Sequence, residues 1–414
     1  FTTKAEGRGL FNAVYEGLVT GSRNGGAVGI IALILLTGGA FGIVMATGSI
    51  DRALRRVISK DDIDARLLLA GLFFLFSLGG AVFGMGEEVI PFVLMLVPVM
   101  TRLGYDRVLV VLVTLAATQV GFATSWMNPF SVAIAQGIAD LPLLSGMSLR
   151  LFMWGVFTLF GMVFTVRYAS RTRVIPEPGG AAPVHERPKL AVGDWLVLAA
   201  LAATVGWIIW GVVYAGYYLP EIATQFVVLG IACAIVGRIF GLNGMTGNAA
   251  ASAFREGAQA LVPAALIIGA ARGIVYLMGG DDPNTPSLLN TFLHFGSTSL
   301  GGLPEWLASW MMLMGQGVFN FFVTSGSGQA ALTMPIMAPL SDLIGVTRQV
   351  AVLAFQLGDG LTNILVPTSA VLMGALGAAR VEWLTWVRAI AWFFAGLALL
   401  ASVFVIAATL AGFS

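Results

Sequence analysis

The chain has 414 residues, of which 58% are hydrophobic and 10% are charged, and its formal net charge is +1. Soluble domains contain roughly 45–50% apolar and about 25% charged residues, so this composition excludes an ordinary soluble domain. The near-neutral charge gives no reason to expect nucleic acid as a partner. Several apolar runs approach the roughly 20 residues that cross a bilayer. The sequence therefore predicts an all-α polytopic membrane protein.

The N-terminal residues 1–28 are predicted to form an amphipathic segment along the membrane interface, since their apolar side chains gather on one side of a helix. The chain opens at Phe1 without a methionine, so we expect a further segment upstream. A first membrane span follows at about 29–48.

A broken helical hairpin is predicted for residues 67–100. Its apolar sequence is interrupted by Gly-Met-Gly-Glu-Glu-Val-Ile-Pro at 84–91, which contains the adjacent carboxylates Glu87 and Glu88. An ionised carboxylate in the bilayer costs roughly 2.5–3.5 kcal/mol and normally faces a bundle interior or a watery cavity. Glycine and proline allow a helix to stop and restart. We interpret this stretch as the tip of a re-entrant hairpin; the alternative is a loop outside the membrane.

The next span, residues 108–138, is predicted to be a broken helix. The proline after Asn128 removes a backbone donor and disfavours helix at the residue before it. Small polar side chains at Thr124, Ser125, Asn128 and Ser131 are expected to line the break. The alternative is a proline-kinked helix whose hydroxyls bond back to its own carbonyls.

The chain divides into two halves around a linker. A span at about 149–166 completes the first half, repeat 1, which covers residues 29–166. Residues 167–193 form a linker rich in proline, glycine and arginine, and residues 194–240 hold two connecting helices. Residues 248–412 are predicted to form repeat 2.

The repeat rests on four short motifs that recur in the same order at offsets of 231 to 241 residues. They are Glu16-Gly17 and Glu256-Gly257, Gly42-Ile43-Val44 and Gly273-Ile274-Val275, Pro98 and Pro339, and Pro129 and Pro367. Repeat 2 should therefore contain a hairpin at 304–345 and a broken helix at 349–378. An odd number of crossings between the halves predicts inverted repeats, and the arginine-rich loops indicate which side is cytoplasmic.

Both halves thus place a glycine-rich polar interruption in an apolar hairpin and follow it with a proline-broken span. Corresponding interruptions of this kind are typical of the central binding site of a secondary transporter that works by alternating access. The polar residues at the interruptions of repeat 2 are Asn320, Ser325, Gly326, Ser327, Gln329, Asp359, Thr362, Asn363, Thr368 and Ser369.

The residue types at these breaks suit charged ligands. Half-helix N-termini favour a carboxylate, whereas neutral oxygens near Asn128 and Asn363 suit a cation such as Na⁺. Arg272, inside a predicted span, either pairs with an acid of the protein or holds a substrate carboxylate. The acids at the two breaks, the glutamate pair and Asp359, favour a cationic substrate group, a coupling Na⁺ or H⁺, or protonation of one glutamate.

The sequence contains no sign of an enzyme or of a cofactor. Cys233 is a single cysteine in an apolar run, and His185 and His294 have no acids spaced as metal ligands. We therefore expect neither a metal centre nor a nucleotide cofactor. A channel or a membrane enzyme is an alternative of another class, although two occluding hairpins suit a carrier better.

Five motifs carry a resemblance to a known family: GMGEEVIPF (84–92), MNPFSVAIAQGIA (127–139), ARGIV (271–275), TSGSGQAALTMPIMAPLSDLIGVTRQ (324–349) and FQLGDGLTNILVPTSAVLMG (355–374). At these motifs the chain resembles the YfcC family, which is grouped with basic amino acid antiporters and four-carbon dicarboxylate carriers in the ion transporter superfamily. The resemblance implies a secondary transporter with inverted repeats and paired hairpins, often dimeric. It also implies an initial span, which we expect in the segment upstream of Phe1. Transported species differ within the family, so the substrate does not follow from the fold.

The leading hypothesis is a carrier for an amino acid, basic and arginine- or ornithine-like, that works by exchange or ion coupling. A Na⁺- or H⁺-coupled dicarboxylate carrier is the alternative within the same class. The expected setting is the inner membrane of a bacterium, with the lipid bilayer, a small-molecule substrate and a second copy of the chain as partners.

Overall fold

The computed structural model describes residues 26–58, 65–86, 89–173, 189–215, 217, 219–262 and 302–414, together with scattered residues between 265 and 298. Every regular element in these ranges is helical, which confirms the predicted all-α class. The interfacial segment predicted for 1–28 and the linker predicted for 167–193 fall largely outside the described residues.

The helices follow in chain order. They are α1 (Gly26–Ala46), α2 (Ser49–Ile58), α3 (Ala65–Phe83), α4 (Val89–Arg102), α5 (Arg107–Val111), α6 (Ala117–Ala123), α7 (Val132–Ile138), α8 (Met147–Thr172), α9 (Val192–Ala215), α10 (Leu219–Ile239), α11 (Gly247–Ala260), α12 (Glu305–Asn320), α13 (Gly326–Leu343), α14 (Arg348–Thr362), α15 (Ala370–Ala379) and α16 (Trp383–Leu410). A π-helical turn at Leu112–Ala116 joins α5 to α6.

Within the described residues, four helices are long and apolar enough to cross a membrane: Val28–Ala46, Met147–Thr172, Leu219–Ile239 and Trp383–Leu410. Large apolar side chains stand exposed on the last of them, with Trp392 at 83% and Leu399 at 66%. Exposed apolar surface of this extent fits contact with lipid.

The chain forms two compact units. The first contains α1, α2, α9, α10 and α11, and α1 packs against both α10 and α11. Its backbones approach so closely that a Cβ atom on Gly42 would lie 2.2 Å from Ala253 O. At the end of α1, the buried Asp194 carboxylate accepts hydrogen bonds from Ser49 Oγ at 2.7 Å and from Arg52 Nη2 at 2.6 Å.

The second unit contains α3 to α8 and α12 to α16. Two pairs of helices within it pack through glycines. A Cβ atom on Gly121 of α6 would lie 1.8 Å from Ser77 O of α3, and one on Gly358 of α14 would lie 2.9 Å from Gly317 N of α12. Small residues allow helix backbones to meet in this way inside a membrane.

The interruptions of these helices have local causes. Helix α3 ends at Phe83, and the next residue, Gly84, has a φ of +64°, a conformation that glycine adopts at no steric cost. Hydroxyl groups cap the helices that follow the other breaks, because Ser325 Oγ accepts from Gly328 N and Ser369 Oγ accepts from Leu372 N. Proline at 129 and 367 accompanies the non-helical backbone between α6 and α7 and between α14 and α15.

Candidate functional site

The first break lies between α6 and α7, against the end of α3. Ser125 Oγ donates to Ala81 O at 2.6 Å and accepts from Asn128 N at 2.7 Å, so one hydroxyl joins the break to α3. Asn128 Oδ1 accepts from Phe130 N at 2.8 Å, which closes an Asx turn. A Cβ atom on Gly84 would lie 2.6 Å from Asn128 Oδ1, so the glycine at the end of α3 touches this amide.

Three buried polar atoms at this break have no hydrogen-bond partner among the described residues. They are Trp126 Nε1, Asn128 Nδ2 and Ser131 Oγ. Leaving a buried polar group unpaired costs about 1–3 kcal/mol, so such groups are typical of places where a ligand or an ion completes the bonding.

The second break lies between α14 and α15. It is organised around Asn320, the last residue of α12. Its Nδ2 lies 3.1 Å from Asp359 O, 2.8 Å from Thr362 Oγ1 and 3.0 Å from Asn363 Oδ1. The amide thereby binds the end of α14, where helical carbonyls lose their partners. Asn320 Oδ1 itself accepts no hydrogen bond within the described part of the chain.

Asp359 is the most unusual residue of the second break. Its side chain is fully buried, and neither carboxylate oxygen has a hydrogen-bond partner among the residues that the structure describes. The side chain of Asn363, four residues later, faces the carboxylate without reaching hydrogen-bond geometry. A Cβ atom on Gly326 would lie 3.1 Å from Asp359 Oδ2, so the carboxylate sits beside the first residue of α13. A buried charge with this environment requires a cation, a proton or the helix N-terminus to stabilise it.

The two breaks are joined directly. Gln356 Nε2 on α14 donates to Ser125 O at 2.6 Å. Four residues further along, a Cβ atom on Gly360 would lie 2.5 Å from Ala123 Cα at the end of α6. The structure thus brings Ser125, Asn128, Asn320, Asp359, Thr362 and Asn363 together through α6 and α14.

Five other predicted residues occupy less central positions. Thr124 Oγ1 donates back to Val120 O at 2.7 Å, as the alternative of a kinked helix predicts for this hydroxyl. Gln329 Nε2 on α13 donates to Gln316 Oε1 on α12 at 2.7 Å. Ser369 is a helix cap and Thr368 is exposed, its carbonyl lying 3.4 Å from Thr324 Oγ1. Ser327, in the first turn of α13, is buried.

Three predicted residues, Glu87, Glu88 and Arg272, lie outside the described residues. The two glutamates fall between Gly86 and Val89, in the interval between α3 and α4. Their place in the site is still a prediction.

The structure adds a charged residue that the sequence reasoning missed. Arg150, near the start of α8, is fully buried. Its guanidinium donates to Gln356 Oε1 at 3.2 Å, to Gln349 Oε1 at 3.2 Å and to Ser145 O at 2.8 Å. Arg150 lies within the span predicted for 149–166 and is therefore, like Arg272, a base inside an apolar span.

The arrangement of the helices is that of known transporters. Two solved transporters share this fold across nearly the whole chain. The YdaH transporter of Alcanivorax borkumensis matches with a TM-score of 0.75 at 16% identity, over 98% of this chain and 89% of that one. MtrF of Neisseria gonorrhoeae, described within a class of antimetabolite efflux pumps, matches with a TM-score of 0.72 at 15% identity, over 97% and 85%. At such identities the likeness concerns the fold alone.

The family follows from the sequence. The profile of the DcuC family, C4-dicarboxylate anaerobic carrier, matches residues 1–410, so the chain belongs to this family. A relative from Escherichia coli K12, named "Putative basic amino acid antiporter YfcC", is 50% identical over 424 residues, which cover 100% of this chain and 84% of that protein. The resemblance to YfcC inferred from the motifs is thereby confirmed, and the relatives are named as transporters and carriers, not as enzymes.

Proposed function

We propose that the protein is a secondary transporter for an amino acid with a basic side chain, working by exchange or by coupling to Na⁺ or H⁺. The single observation that carries the choice of substrate is Asp359, a buried carboxylate whose oxygens have no partner among the described residues. An ammonium or guanidinium group supplies the charge and the hydrogen-bond donors that such a carboxylate lacks. The name of the 50% identical relative points in the same direction.

The neutral groups of the two breaks complete the proposed site. Asn128 Nδ2 and Ser131 Oγ offer donors for a substrate carboxylate, while Asn320 Oδ1 offers an acceptor. Each of these atoms is buried and has no partner within the described part of the chain. A zwitterion with an additional positive charge matches this mixture of donors and acceptors. The coupling pair Glu87–Glu88 and the base Arg272 belong to the same proposal.

The mechanism that we propose is alternating access between two inverted repeats with re-entrant hairpins. Packing supports it. Gly80 of α3 approaches Thr118 O of α6, and Gly121 of α6 approaches Ser77 O of α3; this glycine pair has a counterpart in Gly317 and Gly358, which bring α12 and α14 together. Both members of the second pair follow those of the first by the same 237 residues. In this scheme the protein resides in a bacterial inner membrane and forms homodimers.

A dicarboxylate carrier is the second candidate, since the family is described by such substrates. The N-terminus of α13, capped by Ser325, favours anions. The carboxylate of Asp359 lies beside that same terminus, which weighs against a second anion there.

Transport in proteoliposomes tests the proposal. Vesicles loaded with unlabelled L-arginine should accumulate labelled L-arginine by counterflow, and external succinate should not compete. Accumulation of labelled succinate, with no movement of L-arginine, would establish the dicarboxylate alternative. An ohmic current without counterflow would indicate a channel.

A further inference from the structure

Arg150 occupies a position that is costly for a cation. It lies in the first turn of α8, where the positive end of the helix dipole opposes a positive charge, and its side chain is fully buried. All its hydrogen bonds within the described residues go to neutral oxygens, those of Gln356, Gln349 and Ser145. A role that requires the guanidinium group would explain why this position carries arginine and not an apolar residue.

The guanidinium dictates how the amide of Gln356 is turned. Because arginine is exclusively a donor, Gln356 must direct Oε1 towards Arg150. The other end of the amide, Nε2, then faces Ser125 O at 2.6 Å. Reversal of the amide would place donor against donor at Arg150 and acceptor against acceptor at Ser125.

Ser125 transmits this contact to the first break. Its hydroxyl binds Ala81 O of α3 and the backbone nitrogen atoms of Met127 and Asn128. Gln356 also precedes Asp359 by three residues, a spacing that places both on one side of α14. Gln356 therefore links α14, the helix that carries Asp359, to the backbone of the first break.

We propose that Arg150 is a positioning residue of the transport site: it orients the Gln356 amide, and that amide holds the Ser125 carbonyl and keeps the two interrupted helices in register. The inference rests on the proposed function insofar as the breaks form the transport site. The chain of hydrogen bonds from Arg150 through Gln356 to Ser125 can be tested without knowledge of the substrate.

Gln349 provides a matched control. It also accepts from Arg150 and lies on the same helix α14, but its Nε2 binds Ser145 Oγ rather than the break. If Arg150 serves packing alone, Arg150→Lys should leave the first break unchanged. If Arg150 acts through Gln356, Arg150→Lys and the Gln356 variants should all loosen the first break, and loss of Gln349 should not.

Hydrogen exchange of the purified full chain provides the substrate-independent readout. Gln356→Glu keeps an acceptor for Arg150 but, when ionised, cannot donate to Ser125 O. In this variant, amides between residues 124 and 131 should exchange about tenfold faster, which is the effect of one lost hydrogen bond. Gln356→Met and Arg150→Lys should do the same, since lysine lacks the planar fork that serves two glutamines. Gln349→Met should leave exchange in this stretch unchanged.

A transport arm separates failure of this inference from failure of the proposed function. Gln356→Glu should reduce the maximal counterflow of L-arginine at least tenfold, and Gln349→Met should retain it. Unchanged exchange and flux in Gln356→Glu, with flux lost in Asp359→Asn, would overturn the positioning role while the proposed site stands. If L-arginine does not move in the wild type, exchange between residues 124 and 131 still decides: equal rates in the Gln356 and Gln349 variants refute the inference.

Discussion

Replacement of Asp359 by asparagine should abolish transport without destabilising the protein. Most buried acids are held by partners whose loss weakens the fold, but the oxygens of Asp359 have none among the described residues. Asp359→Asn therefore removes a charge and breaks no side-chain hydrogen bond in the described part of the chain. A functional residue of this kind lowers the stability of the folded protein but is required for its activity.

The magnitude follows from the cost of the charge. An aspartate at the centre of a membrane helix costs about 2.5–3.5 kcal/mol on insertion scales, and a buried neutral amide costs about 1–3 kcal/mol when unpaired. The free energy of unfolding should therefore rise by about 1 kcal/mol in Asp359→Asn, a small gain in melting temperature.

Asp194 is the matched control. Its carboxylate is also buried, but it accepts from Ser49 Oγ, Ala191 N and two nitrogens of Arg52. Asp194→Asn should lower the free energy of unfolding by at least about 2 kcal/mol, because hydrogen bonds to a charged group are each worth about 1.5–3 kcal/mol.

Thermal unfolding in detergent and L-arginine counterflow in proteoliposomes measure the two effects together. We expect Asp359→Asn to melt at or above the wild-type temperature and to carry no flux, and Asp194→Asn to melt below it. A melting temperature for Asp359→Asn that falls as far as that of Asp194→Asn would contradict the reasoning. So would wild-type flux in Asp359→Asn.

Four further variants probe the proposed site. Asn128→Ala and Asn363→Ala should each abolish counterflow, measured as flux in proteoliposomes. Each should lower the free energy of unfolding by only about 0.5–1.5 kcal/mol, the contribution of one hydrogen bond, measured by thermal unfolding. Wild-type flux in both variants would show that the breaks are only kinks. Gly326→Ala should lower flux at least tenfold, because its Cβ atom would lie 2.7 Å from Phe122 Cζ and 3.1 Å from Asp359 Oδ2, and the overpacking should cost about 1–3 kcal/mol. The double variant Glu87→Gln/Glu88→Gln should lose the pH or sodium dependence of uptake between about pH 5 and pH 9, since two adjacent acids resist joint ionisation. An unchanged profile with and without sodium would refute a coupling role for the pair.

The features that follow from the sequence alone have local causes. Composition establishes a helical membrane protein because burial in lipid needs apolar residues in long runs. Glycine and proline act on their own and neighbouring backbone angles, so interruptions near Gly84, Ser325 and Pro367 can be read from the chain. The motifs likewise suffice to recognise the relationship to YfcC, which 50% identity confirms.

The tertiary structure decides which polar residues meet. Arg150 finds its acceptors Gln349 and Gln356 about 200 residues away along the chain, and no local pattern encodes such a distance. The hydroxyls of Thr124 and Ser125 are neighbours in sequence, yet one bonds its own helix and the other bonds α3. Likewise, the sequence marks Asp359 as an acid in an apolar span, but only the folded chain places it beside Gly326 and leaves its oxygens without partners among the described residues. Side-chain direction and pairing depend on how the helices pack, and that packing is a property of the whole fold.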